Sequence, residues 1–258
     1  MNDFLFERSL TYANAYMALR GRKTRFTKSD QSYIEVRENQ ETLVICRKNR
    51  TRLYKGGLAK RLDRLNKSYL LHLVDPTTKG AFIDCGANIG ELGFFARQRN
   101  FDYHPFEPEA LEASSCDRNH FAGAAKTNRL ALWHEETVLK FYSKPATGDS
   151  SVIEMNDYSE VKTIPTTTLD KYVASKGISR IAVLKIEAEG AEPEVLAGAE
   201  NALAVTDFIT VDGGFERGKE KATTAPQVIN TLLHKGFELV SWDQSWGRFL
   251  FRSTVVSR

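Results

Sequence analysis

From residue 81 onward, short apolar runs alternate with segments of helical period, a pattern that predicts a parallel sheet wrapped by helices. Residues 81–84, 102–106, 181–186 and 207–211 read as strands, and 126–132 and 138–142 as two more. Helices are expected at 89–98, 109–120, 168–174, 193–203 and 225–234. Thr167 or Thr168 can cap the third of these, and Pro193 suits a first helical turn, where a missing N–H costs no hydrogen bond. Residues 237–242 and 248–252 flank a turn at 244–247 and predict an antiparallel hairpin closing the sheet. The stretch 148–158 has no clear period and reads as a surface loop. In front of this body, Phe6, Leu10, Ala13 and Met17 recur at helical spacing, 33–36 and 42–46 read as a small hairpin, and 58–73 as a long helix. The apolar stripe of the first helix is expected to pack in the core or against a second copy, so a homodimer is among the expected states. The reading divides the chain into a basic α+β extension, 1–78, and a larger α/β domain, 79–258.

Charge sharpens that division. The 258 residues carry a formal net charge of +3, yet residues 1–80 hold 17 basic and 8 acidic side chains against 19 and 25 in the remainder. A hydrophobic fraction of 41% excludes disorder as the main state. No apolar stretch is long enough for a membrane span, and Asp3, Glu7 and Arg8 stand where a signal peptide would build its apolar core. Cys46, Cys85 and Cys116 have no paired metal-ligand spacing and are expected as free thiols of a cytoplasmic protein.

The strongest chemical signal is Phe82-Ile83-Asp84-Cys85-Gly86-Ala87-Asn88-Ile89-Gly90: a strand, an acid at its end, and glycines at the turn that follows. Gly86 lets the backbone approach a ligand without a Cβ in the way, Gly90 allows tight entry into a helix, and the exposed N–H groups suit an anionic group. The G-x-G-x-x-G of a dinucleotide site fails, because positions 86, 88 and 91 are Gly, Asn and Glu. The spacing Asp-x-Gly-x-x-x-Gly matches instead the first motif of S-adenosylmethionine-dependent methyltransferases. At the end of the next strand, Glu107 in Phe106-Glu107-Pro108 can accept hydrogen bonds from both hydroxyls of a ribose.

These residues resemble the FkbM-like methyltransferases. The 82–90 segment is similar to that family's D-x-G-A-N-x-G, and Thr163-Ile164-Pro165-Thr166-Thr167-Thr168-Leu169-Asp170 to its V-P-x-x-x-L-D. The run from Leu184 to Ala199, with Lys185-Ile186-Glu187-Ala188-Glu189-Gly190, resembles its L-K-I-D-x-E-G-x-E-x-x-V-L-x-G-A. The resemblance covers residues 81–213. It implies a class I, Rossmann-like methyltransferase fold with a mostly parallel seven-stranded sheet, S-adenosylmethionine as cofactor, and O-methylation of hydroxyls, often on sugars, glycans or secondary metabolites. Two positions depart from the family: its usual Asp is Glu187 here, and the acid ending the next strand, more often Glu, is Asp212.

Asp84, Gly86, Asn88 and Gly90 are expected around the methionine end of the cofactor, Glu107 at the ribose, and Asn128, Ala131 and Leu132 near the adenine. Glu187, Glu189 and Asp212 are the candidate catalytic groups, with Glu187 the first choice as general base. Two of them holding a divalent ion such as Mg²⁺ is the alternative, and the sequence assigns no metal ligands. Lys185 is expected to neutralise an acidic neighbour; His104, His134 and Trp133 read as packing or solvated groups. The acceptor is expected to be a small molecule or glycan, anionic if Lys55, Lys60, Arg61, Arg64 and the basic 20–28 run reach it. A nucleic-acid acceptor is disfavoured, because the fourth strand ends in Lys185-Ile186-Glu187 where base amino-methylating enzymes carry [DNS]-P-P-[YF]. A non-catalytic cofactor-binding partner protein is the remaining reading.

Overall fold

The computed structural model describes residues 3–30, 33–144 and 146–255, the first six of them as backbone only. The chain opens with helix α1 (Asp3–Leu19), an antiparallel sheet β1 (Arg25–Lys28), β2 (Ile34–Glu38), β3 (Glu41–Ile45), and helix α2 (Leu58–Ser68). The sequence predicted only a hairpin here; β1 escaped because Phe26 is its one buried side chain. Leu10 and Met17 of the expected stripe are buried, while the Phe6 side chain lies outside the described residues. They pack with Val36, Leu43, Tyr54 and Leu58 in a cluster that also takes in Ile89 and Phe94 from beyond residue 78. Helix α2 stops at Ser68 rather than 73, because Leu70 turns left-handed at φ 58°.

The body continues with β4 (Ala81–Cys85), α3 (Gly93–Gln98), β5 (Asp102–Phe106), α4 (Ala110–His120), β6 (Ala131–Leu132), β7 (Val138–Ser143), β8 (Glu160–Thr167) and α5 (Leu169–Lys176). Then come β9 (Ile181–Ile186), α6 (Glu192–Ala197), α7 (Glu200–Leu203), β10 (Thr206–Asp212), β11 (Phe215–Arg217), β12 (Ala222–Thr223), α8 (Ala225–His234), β13 (Phe237–Asp243) and β14 (Arg248–Ser253). The central sheet runs β13-β14-β10-β9-β4-β5. Its four strands from β10 to β5 are parallel, and β14 and β13 close it antiparallel, as the terminal hairpin predicted. β4, β9 and β10 are buried at every position, which is why their apolar runs show no alternation.

The continuous ladder has six strands where seven were expected. Asp117 accepts the backbone N–H groups of Lys126 and Thr127, and the 126–132 stretch meets β5 in an isolated bridge between Asn128 and Phe106 rather than a ladder. It then joins a separate sheet of order β6-β8-β7. The helix expected over 193–203 is broken at Gly198, where a Cβ would sit 2.1 Å from the Trp133 carbonyl oxygen. The helix expected from 89 begins only at Gly93, because Asn88 and Gly90 are left-handed at φ 51° and 80°. Thr168 caps α5, accepting from Lys171 N at 3.1 Å. Among the described residues no helix is long and apolar enough to cross a membrane, and the three cysteines are free. The C-terminal ends of the parallel strands gather at one edge, where open α/β sheets bind ligands.

Candidate active site

Two adjoining hollows occupy that edge. The first, a slot, is walled by the apolar side chains Phe106, Leu130, Leu132 and Phe141, and Glu107, Glu109, Glu112, Glu187 and Glu189 also line it. Gly86, at φ 75°, needs to be glycine: a Cβ there would lie 2.1 Å from the Glu187 carbonyl oxygen. Asn88 N donates to Glu107 Oε2 and Glu109 N to its Oε1, both at 2.8 Å. Burial raises the Glu107 carboxyl to about 7 despite these two donors. A carboxylate so placed gains from further donors, and a ribose diol supplies two. The slot therefore sets apolar walls beside a buried carboxylate that can take further hydrogen-bond donors.

Glu109 holds the far wall. Its carboxylate accepts from Ser143 and from Ser150 at 2.9 Å, and pairs with Lys162 at 2.6 Å, joining β7, the loop after it and β8 to the start of α4. Burial alone would push this carboxyl up, but Lys162 and the two serines hold it below its ordinary range.

The second hollow lies against α2 and the C-terminal turn, lined by Arg50, Arg61, Arg64, Tyr69, Trp246 and Arg248. Gly86, Asn88, Gly148, Glu187 and Glu189 line both hollows and so mark their junction. The two glutamates there differ. Glu187 is clamped by Lys185 Nζ at 3.1 Å and Arg248 Nη2 at 3.2 Å. Burial works against its charge, yet the two cations win and lower its carboxyl to about 2. Glu189 has no hydrogen bond or ion pair on its carboxylate among the described residues. Its backbone is left-handed at φ 51°, with its carbonyl fixed by Ser151 Oγ at 2.8 Å. Burial first, then the nearby charges of Glu216, Glu187, Asp149 and Asp212, hold the Glu189 carboxyl well above its usual range. The task of ordering its loop falls to Glu192, which accepts from Ala188 N and Gly190 N, both at 3.0 Å.

Several expected site residues stand behind the hollows rather than in them. Asp212 is bound to Arg248 Nε at 2.7 Å and Gly214 N at 3.1 Å. Asn128 turns its amide to Pro105 O at 2.9 Å and Tyr172 Oη at 3.2 Å. Gly90 packs on Cys116 and His120. Asp84 borders the second hollow, accepting from Tyr103 Oη at 2.8 Å and pairing with Lys185 at 3.1 Å. Lys185 also donates to the Cys85 and Gly86 carbonyls at 2.9 and 2.6 Å, so the expected neutralising lysine holds the glycine turn as well. Ala131 and Leu132 line the slot. His104 is tied to Tyr172 and Asp102, and neither His134 nor Trp133 reaches a hollow. Of the basic residues proposed to meet the acceptor, Arg61 and Arg64 border the second hollow, whereas Lys55, Lys60 and the 20–28 run do not. Among the described residues no three His, Cys, Asp or Glu side chains converge as a metal site. Glu109, Arg248, Trp246 and Glu216 were missed. For Glu109, the Glu-Pro-Glu repeat beside Glu107 was the available signal; for the rest the chain offered none.

A family model described as the methyltransferase FkbM domain matches residues 84–239, well over half of the chain. The chain belongs to the FkbM methyltransferase family. This FkbM-family chain is 26% identical over 172 residues to the 31-O-demethyl-FK506 methyltransferase FkbM of Streptomyces tacrolimicus. That match covers 53% of the chain and 66% of the relative, so the chain spans just under two thirds of that protein's length. A crystal structure of methyltransferase FkbM from Methylobacillus flagellatus KT overlays with a TM-score of 0.43 at 14% identity, over 67% of this chain and 43% of that one.

Proposed function

We propose that this FkbM-family methyltransferase uses S-adenosylmethionine to methylate a hydroxyl oxygen of a sugar, glycoconjugate or related small molecule. The observation that carries the reading is Glu189, an unpaired carboxylate of raised proton affinity at the junction of an apolar-walled slot and a polar hollow. The cofactor, when bound, supplies an electrophilic methyl group. Glu107 would receive the ribose hydroxyls, Leu130, Leu132 and Phe141 would flank the adenine, and the Gly86 turn would leave room for the amino-acid end. A hydroxyl is a weak nucleophile, so a base that takes its proton as the new bond forms lowers the barrier. Glu189 has the position and the proton affinity for that work. Glu187, the first choice from sequence, is the poorer base, because Lys185 and Arg248 stabilise its ionised form; its role here is to hold those cations. The relative's name, which specifies transfer to an oxygen, supports the choice of acceptor atom.

The test is Glu189→Gln, which keeps size and removes basicity. Its kcat on an identified acceptor is expected to fall by about a hundredfold or more while affinity for S-adenosylhomocysteine stays the same. An unchanged kcat would remove Glu189 from the reaction, and calorimetry detecting neither S-adenosylmethionine nor its demethylated product would sink the cofactor assignment. Mass spectrometry of glycans and metabolites from cells with and without the gene, searched for a lost methyl group, finds the acceptor.

A further inference from the structure

The second hollow has chemistry that selects among acceptors. On α2, Arg61, Arg64 and Ser68 stand three and four residues apart and so share the face that borders it. Ser68 Oγ accepts from Arg248 Nη1 at 2.8 Å, and the Arg248 guanidinium lies 5.5 Å from the Trp246 ring centroid. Arg64, Ser68, Arg248 and Trp246 thus form a continuous wall. Two of the hollow's cations are already neutralised: Arg61 by Glu91, in two hydrogen bonds of 2.8 and 3.0 Å, and Arg248 by Asp212 and Glu187. Arg64 is exposed, with no hydrogen bond or ion pair among the described residues. Across the hollow, Arg50 donates to the Thr147 carbonyl at 3.2 Å and meets no carboxylate among the described residues. Asp149 is the opposing charge on that side.

Trp246 is 54% exposed although its turn is well fixed. Gly247 N and Trp246 N bond back to the Asp243 carbonyl at 2.9 and 3.3 Å, Ser245 N bonds to the Asp243 carboxylate at 2.9 Å, and Gly213 N reaches the Gly247 carbonyl at 3.0 Å. A large apolar ring displayed by a rigid turn beside hydrogen-bonding groups suits a partner that is itself a ring with an apolar face and a polar edge. A pyranose has that shape: its axial C–H groups form one face, and its hydroxyls radiate from the rim.

Resting on the methyltransferase reading above, we propose that the acceptor is an anionic pyranoside whose ring stacks on Trp246 while its carboxylate or phosphate pairs with Arg64. The stack sets which face of the sugar meets the junction, and the ion pair sets which hydroxyl points to Glu189.

The experiment uses the full chain saturated with S-adenosylhomocysteine, with methyl glucuronoside, glucose 1-phosphate and methyl glucoside as probes, read by saturation-transfer NMR and titration. Either or both charged sugars are expected to bind about tenfold more tightly than the glucoside, and which one does so identifies the anionic group. Arg64→Gln is expected to erase that preference without altering glucoside binding. Trp246→Ala should weaken all three by about tenfold, with Trp246→Phe restoring most of the loss. S-adenosylhomocysteine affinity should be the same in every variant, which also certifies that each is folded. A protein that binds the homocysteine product but none of the sugars, or binds them equally before and after both substitutions, overturns the inference and leaves the methyltransferase reading intact. Failure to bind the product at all overturns the earlier reading instead.

Discussion

Glu107 shows how one buried carboxyl can couple cofactor binding to pH. Its folded value of about 7 lies above the ordinary 4.5, so near neutrality the free protein holds it partly protonated. A ribose diol donates two hydrogen bonds and favours the ionised form, so affinity for S-adenosylhomocysteine is expected to fall about tenfold between pH 8 and pH 6. Folding runs the other way. A carboxyl raised on folding gives its full stability below its unfolded value and loses it as pH rises through the folded one, so this group favours the free protein at pH 6 over pH 8. Calorimetric titration across that range checks the first trend and thermal melts the second; flat affinity would remove Glu107 from the ribose. This residue was legible in the chain because its partners lie close along it, Glu109 two residues on and Asn88 on the turn that ends the preceding strand. Arg248, which with Lys185 keeps Glu187 ionised, was not: it lies 61 residues away from that partner, on an antiparallel strand whose apolar pattern says nothing of its charge.

At the level of elements, strands with continuous apolar runs were readable because burial on both faces leaves no other pattern. β8 was hidden, since its first four residues are largely exposed and Lys162 and Pro165 break the period. That same strand carries Lys162 to Glu109, so the part of the fold least visible in sequence is the part that walls the proposed cofactor slot. Removing the charge on Glu109 tests this link. Glu109→Gln keeps the shape but leaves Lys162 facing a neutral amide, and the β7–β8 sheet should loosen from α4. Affinity for S-adenosylhomocysteine is expected to drop about tenfold, with faster proteolytic cutting in the 144–159 loop. Unchanged affinity and cutting would show that the sheet is held by its apolar contacts alone.

For the whole molecule, the contrast between a basic front and an acidic body separates two stretches of chain more clearly than it separates two structural units. Ile89 and Phe94, from the turn after β4 and from α3, sit in the same buried cluster as Leu43, Tyr54 and Leu58, and Arg47 pairs with Glu112 on α4 at 2.5 Å. A fragment of residues 79–258 is therefore expected to melt more than about 5 °C below the full chain, because those side chains lose their cover. Equal melting temperatures would mean that the front is dispensable to the body. The wall formed by Ser68 and Arg248 has a further consequence, for the order of assembly. Their hydrogen bond closes a span of 180 residues, whereas the first hollow is lined wholly by residues 85–191. Closing a long loop carries a larger entropic penalty than closing a short one, and contacts that span it form late. The proposed methyl-donor slot can thus take shape from a single internal stretch of chain, while the proposed acceptor hollow is complete only after α2 and β14 have met.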